Sequence, residues 1–284
     1  MLPRIMTEHA HSVTGIDINP GATQYAYISR DRQGAASFIG NGPNANIPMV
    51  AQSAGAVNVP VAYAAVGAVI TNEDAREYTF GFNGNLSQDL GETMRVACDN
   101  LTEQSFFYGN ADMNFQPFLN YAGVTATTVP QGESGKTEWK DKTPLEIFND
   151  INNALTKMWQ DSRTIFKPTI IYVPLAQYAL LSQPAVIGGV GMLTSIKEYT
   201  IANATVAGIA GKPLEILPLR YLAGAGASMI VWDRDRRNQC MPMPMPYTLQ
   251  APVPAPLAAE FYAEMKIGSF HVRQAGSIAY YDGI

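Results

Sequence analysis

The chain has 284 residues, enough to bury a core of its own without a metal or disulfide staple. Hydrophobic residues make up 47%, but charged residues only 15% against a usual share of about 25%, so the surface is poor in charge, as extensive subunit contacts require. A net charge of −5 gives no basic footprint for gripping nucleic acid; no apolar run approaches the ~20 residues that span a bilayer, and the start MLPRIMTEHAHS is not a secretory signal.

Residues 1–20 have no clean period, end in Asn19-Pro20-Gly21 and read as an extended arm. From Ala22 to Ile39 weak alternation (Tyr25, Tyr27, Arg30, Arg32, Phe38, Ile39) around Asp31-Arg32-Gln33-Gly34 reads as strand, turn, strand. Gly40 to Pro48 is loop, and Val57 to Ile70 is extended chain interrupted by Pro60. Between Leu86 and Tyr108, Leu90, Met94, Ala97 and Leu101 recur at helical spacing, and Gly109 is placed to stop the helix. Thr143-Pro144-Leu145-Glu146 is a capping box with Pro at the first helical position, and Phe148, Ile151, Leu155 and Met158 line one face behind it.

A short buried strand follows at Thr169–Val173, then a helix around Gln177–Leu181 and a glycine loop at Gly188, Gly189 and Gly191. Ser195 and Glu198 box another helix reaching about Ala204, and Leu214–Leu217 and Met229–Trp232 read as strands. The alternate prolines of Met241–Pro246 and of Pro252, Pro254 and Pro256 force extended chain or an edge strand. Beyond them Phe261, Ala263, Met265 and Ile267 alternate with polar residues up to Gly268-Ser269, which predicts a hairpin placing Ile267 opposite Phe270, Met265 opposite Val272 and Glu264 opposite Arg273. The whole is an α+β pattern.

Catalytic and ligand motifs do not close. Gly132-Glu133-Ser134-Gly135-Lys136-Thr137 resembles a phosphate loop, but Pro130 stands where its first glycine belongs and polar loop follows where a helix should open. Gly189–Thr194 and Gly224–Met229 break the dinucleotide spacing. His9 and His11 lie on the arm, without a rigid shell to hold a metal. Cys98 falls beside the helical stripe and reads as a buried small residue, and the alternating Met241, Met243 and Met245 as gap filling. No catalytic, cofactor or metal residue is assigned. Asp233-Arg234-Asp235-Arg236-Arg237 is the densest charge cluster, a solvated loop or an intersubunit charge contact.

The order of these elements, with YAYISRDRQGAASFIGN over Tyr25–Asn41, Ser105-Phe106-Phe107-Tyr108-Gly109 before Phe118-Leu119-Asn120, and the ending Ile278–Ile284, resembles the major capsid proteins of tailed double-stranded-DNA phages of the Hong Kong 97 type. The resemblance implies an N-terminal arm (1–20), an extended hairpin loop (21–70), a peripheral domain (71–142) with a spine helix at 87–108, an axial domain (143–240), and strands at 241–284 returning to the peripheral domain. It implies a non-enzymatic protein without cofactor, forming hexamers and pentamers of an icosahedral virion head that encloses DNA without reading its sequence, after assembly in the host cytoplasm. Intersubunit contacts are then expected at Tyr25, Tyr27, Arg30, Asp31, Arg32 and Phe38 of the loop and at Asp233, Arg234, Asp235, Arg236 and Arg237. A portal, a separate scaffolding protein and a decoration or cement protein are the expected partners, since no charge-rich helical segment precedes the arm. The isopeptide weld some members make from a loop lysine is excluded, because the first lysine is Lys136. The rivals are an encapsulin-like nanocompartment shell of the same fold class and a soluble oligomeric enzyme with a glycine-loop site between Ile187 and Thr194.

Overall fold

In the computed structural model, which describes residues 18–34, 36, 38, 49–82, 86–186, 193–204, 213–222 and 228–284, two five-stranded sheets share one chain. In order, the elements are β1 (Gln24–Gln33), β2 (Ala51–Thr71), α1 (Asn72–Phe82), α2 (Leu86–Phe107), β3 (Thr127–Thr128), α3 (Pro144–Asp161), β4 (Ile170–Val173), α4 (Leu175–Leu181), β5 (Pro184–Val186), β6 (Leu193–Ser195), α5 (Ile196–Asn203), β7 (Glu215–Pro218), β8 (Ser228–Trp232), β9 (Gln239–Cys240), β10 (Met245–Leu249), β11 (Val253–Ala255), β12 (Ala258–Gly268), β13 (His271–Val272) and β14 (Ile278–Asp282).

The first sheet runs β1-β2-β12-β10, with β11 also on β12. β2 is unbroken across Pro60: residues Ala51–Pro60 pair with β1 and Val61–Thr71 with β12. Proline cannot donate to a ladder, and here it stands where the pairing changes from one partner to the other. The expected turn at Asp31–Gly34 is therefore corrected. β1 continues through it, because each residue to Gln33 finds a partner on β2, ending at Gln33↔Ala51.

The hairpin expected around Gly268-Ser269 is also overturned. β12 pairs along its whole length with β2, and Gly268 N–H instead donates to Pro242 O at 2.7 Å and Ser269 N–H to Pro60 O at 3.0 Å. The local turn offered only a few pairs, whereas β2 satisfies all eleven residues of β12. Glu264 consequently bonds Tyr63 and Gln250, and Arg273 bonds Tyr25. β10 is the edge strand that the prolines require.

The second sheet, β3-β14-β8-β4-β7, is covered on both faces. Period-two alternation sends Ile170, Tyr172, Ile230, Trp232, Ile278 and Tyr280 to one side, against Phe106, Phe107, Phe118 and Phe270. Ile171, Val173, Met229, Val231 and Tyr281 face the other, against Ile147, Ile151, Leu155 and Met158 of α3. α2, 22 residues long, joins the two sheets: Met94 packs with Ile70, Phe261 and Ala263, while its aromatic end enters the second core.

Gly109, at φ +67°, ends α2, and Phe118 N–H and Leu119 N–H then cap the exposed carbonyls of Phe106 and Phe107 at 2.9 and 3.2 Å. The Thr143–Glu146 capping box forms in full at α3, and Ser195 accepts the Glu198 N–H at α5. Two features were not expected. α1 opens on Thr71, whose hydroxyl accepts the Asp74 N–H at 3.1 Å, and Trp139–Asp141, read as polar loop, is a 3-10 turn with Trp139 1% exposed. Residues 241–284 divide between the sheets, β10 to β12 joining the first and β14 the second.

Candidate functional site

Alternation along β1 turns Tyr25 and Tyr27 to one side, where they stack with ring centroids 6.1 Å apart. Neither is free. Arg273 Nη2 donates to Tyr25 Oη at 2.8 Å, and its guanidinium lies over the Tyr27 ring at 5.2 Å. Tyr27 Oη meets His271 Nε2 at 2.5 Å, and His271 Nδ1 meets Tyr121 Oη at 3.1 Å. Val59, the β2 partner of Tyr25, is buried at this point. Burial, with the neighbouring Arg273 charge, holds the His271 imidazole below its ordinary value, and burial raises the Tyr27 and Tyr121 hydroxyls.

Beyond this root Ile28–Arg30 of β1 and the facing Ala51–Ala56 are exposed, and this β1/β2 extension, distinct from residues 1–20, is the arm. Arg30 and Phe38 are exposed, and so are the apolar Ile28, Met49 and Val50 at 62%, 89% and 73%. Asp31 and Arg32 lie in the ladder opposite Ser53 and Gln52.

The charged run Asp233–Arg237 forms the turn from β8 to β9. Asp233 Oδ2 accepts the Lys167 N–H and an Asn238 side-chain N–H, both at 3.2 Å, and Asp235 Oδ1 accepts the Arg237 N–H at 2.8 Å. Asp235, Arg236 and Arg237 are exposed. Asn238 O then accepts the Arg273 N–H at 2.8 Å, and β9 pairs with β13, so this turn abuts the segment of His271 and Arg273. Tyr25 and Tyr27 are thus linked through His271 and Arg273 to the segment that follows the charged turn, while Arg30, Asp31, Arg32 and Phe38 are not brought to it. His271 and Tyr121 escaped the sequence reading and Arg273 was paired there with Glu264, because their partners lie 150 or more positions away.

Three buried charged side chains lie elsewhere among the described residues. Lys142 Nζ pairs with Asp150 Oδ2 at 2.6 Å, with side chains 1% and 6% exposed, and Trp139 Nε1 and Pro130 O complete the set. Glu103, on α2, is fully buried; its Oε2 accepts from Tyr221 Oη at 3.1 Å and its Oε1 has no partner. Burial pushes this carboxyl up to about 7, opposed by the Tyr221 hydrogen bond and the Arg220 charge.

Among the described residues no group of three or more His, Cys, Asp or Glu is placed to hold a metal, and no helix is long and apolar enough to cross a membrane. Cys98 and Cys240 are buried free thiols, raised by burial. Gly132–Thr137 is an exposed turn rather than a strand-to-helix phosphate loop. His9, His11 and the glycines at 188–191 and 224–226 lie outside the described residues.

The sequence matches the family described as major capsid protein over residues 34–284. The chain belongs to the major capsid protein family. Solved structures place its fold among shells. The capsid of Myoviridae phage XM1 aligns at a TM-score of 0.73 and 14% identity, over 95% of this chain and 90% of that one. The capsid of a native GTA particle aligns at 0.59 and 12%, over 98% and 90%. The virus-like particle from Pyrococcus furiosus aligns at 0.52 and 13%, over 97% and 98%. A search of curated proteins finds no match. This major capsid protein therefore has a structural role in the capsid of the virion, and the nanocompartment and enzyme readings are not favoured.

Proposed function

We propose that this capsid protein assembles through hexamers and pentamers into an icosahedral head around double-stranded DNA, in the host cytoplasm, and that the β1/β2 arm is the element that overlaps a neighbouring subunit. The observation that carries this is the arm itself, two paired strands that leave Ile28, and Met49 and Val50 just before β2, exposed among the described residues. Arg30, Asp31, Arg32 and Phe38 toward the tip and Arg234–Arg237 at the base are the intersubunit contacts, while Tyr25 and Tyr27 act through the root. α2 with the first sheet forms a peripheral unit, and the second sheet with α3 to α5 an axial one at capsomer centres. A separate scaffolding protein, a portal and a decoration protein complete the assembly. An acidic subunit suits the container, since like charge keeps packaged DNA from adhering to the wall.

Electron microscopy of the full chain, expressed alone and with its neighbouring genes, tests this. Closed shells or capsomer rings are expected, and a shell holding protein cargo in place of DNA, or a small oligomer that never assembles, overturns it. The double variant Ile28→Asp/Val50→Asp is expected to fold but to lose shells.

A further inference from the structure

The neck of the arm is the step in β2 where the pairing partner changes. β1 ends its pairing at Gln24↔Pro60 and β12 begins at Gly268↔Val61, so the two ladders share no residue of β2. The backbone bonds flanking that step are Val61 N–H to Thr23 O at 3.2 Å and Ser269 N–H to Pro60 O at 3.0 Å, and Pro60 has no N–H to add. With a single backbone bond from each edge at this step, the neck opens more easily than a stretch of β2 laddered along its length. The arm's direction therefore needs a second attachment.

The structure holds one. Tyr25 and Tyr27 lie on the arm, and His271, Arg273 and Tyr121 on the body, beyond the end of β12. Tyr27–His271, His271–Tyr121 and Arg273–Tyr25 bonds, with Arg273 over the Tyr27 ring, bridge the neck without using β2. We propose that this cluster is a lock on the arm, with His271 and Arg273 the positioning residues that fix the arm's angle to the body. A neutral imidazole offers one donor and one acceptor, matched to the two flanking hydroxyls. Among the described residues Tyr27, Tyr121, Cys240 and Arg273 neighbour the imidazole and Tyr25 lies behind Tyr27, with no carboxylate among them to balance a second proton. Protonation sets a cation against Arg273 and opens the lock. Since the folded His271 is depressed, the lock is intact above the ordinary histidine range and is lost as pH falls below it.

The inference deepens the reading of the arm as an assembly element, and its test is separate from assembly. Hydrogen exchange is followed on the unassembled full chain, corrected for intrinsic rates, for wild type, His271→Phe and Tyr27→Phe. Each variant is expected to raise exchange in β1 and Ala51–Val59 about tenfold while the second sheet keeps its protection. Acidification is expected to do the same to wild type and to have no further effect on His271→Phe. Unchanged arm protection in Tyr27→Phe, or equal loss in arm and second sheet, overturns the lock, and Tyr27→Phe, which removes only a hydroxyl, decides the matter if His271→Phe does not fold. Shells that fail to form with the lock intact would instead count against the role given to the arm.

Discussion

Glu103 gives the most quantitative prediction. It is a carboxyl with no exposed surface, set on α2 beneath Tyr221, and the cation nearby, Arg220, spends its Nη2 on Tyr221 Oη at 2.9 Å instead of on the carboxylate. The folded chain therefore keeps the Glu103 proton up to about 7, where the unfolded chain releases it near the ordinary 4.5. Across that window the native state binds more protons, so stability is full below the unfolded value and is lost as pH rises through the folded one. At about 1.4 kcal/mol per pH unit the loss totals about 3 kcal/mol, of which about 2.5 falls between pH 5 and pH 8. Glu103→Gln mimics the protonated acid at every pH. Urea unfolding of unassembled wild type and Glu103→Gln at both pH values cancels all other titrations, and the variant is expected to gain by that amount at pH 8. A difference between the two proteins that stays constant within about 0.5 kcal/mol refutes the argument.

Gly109→Ala is expected to destabilise the chain by about 2–3 kcal/mol in denaturant midpoints, because φ is +67° and a Cβ would lie 2.4 Å from the Phe115 carbonyl oxygen, which is backbone and cannot rotate away. Lys142→Met strands Asp150 in the core and is expected to cost about 3–5 kcal/mol, with Lys142→Met/Asp150→Leu recovering most of it in the same titration. Arg273→Glu is expected to loosen the arm in proteolysis, and adding Glu264→Arg is expected to give no rescue, since Glu264 lies beside Ala65 and bonds Tyr63.

What was legible in the chain was local. The box at Thr143 and Glu146 and the stop at Gly109 each depend on residues within a few positions, so the sequence pattern carries them whole; the helical spacing of Leu90, Met94, Ala97 and Leu101 marked the helix but not its whole face, since Leu101 is exposed and Cys98, Thr102 and Phe106 are buried. The sheets are not local. β12 alternates well enough to pair with anything, and the choice between a nearby β13 and a β2 two hundred residues earlier was made by length, eleven ladder positions against a short turn. The buried pair Lys142–Asp150 was hidden for a related reason: a Lys in a polar stretch reads as solvated until Trp139, which folds over Asp150, brings it inside. The site residues were half legible. Tyr25, Tyr27 and the charged turn stand out by type, but the His271 and Arg273 that hold them become visible only after β12 is placed on β2.

The body and the arm are stabilised by different physics, and that difference bears on the protein's task. The second sheet is roofed on one side by an aromatic cluster in which Phe106, Phe118 and Phe270 meet edge to face or stacked within 5.5 Å, and on the other by α3. Both its faces are covered within the chain. The arm is a two-stranded ribbon with one buried residue, Val59, among those of β2 that pair with β1, and ribbons of that kind are marginal in water. Its stability must come from its root and from whatever covers Ile28 and Val50. On the assembly proposed above, a shell subunit is served by that division: the body would fix the shape of the capsomer, while the arm would gain most of its order when a neighbour arrives, so that free energy of assembly is released at the contact between subunits and not before it.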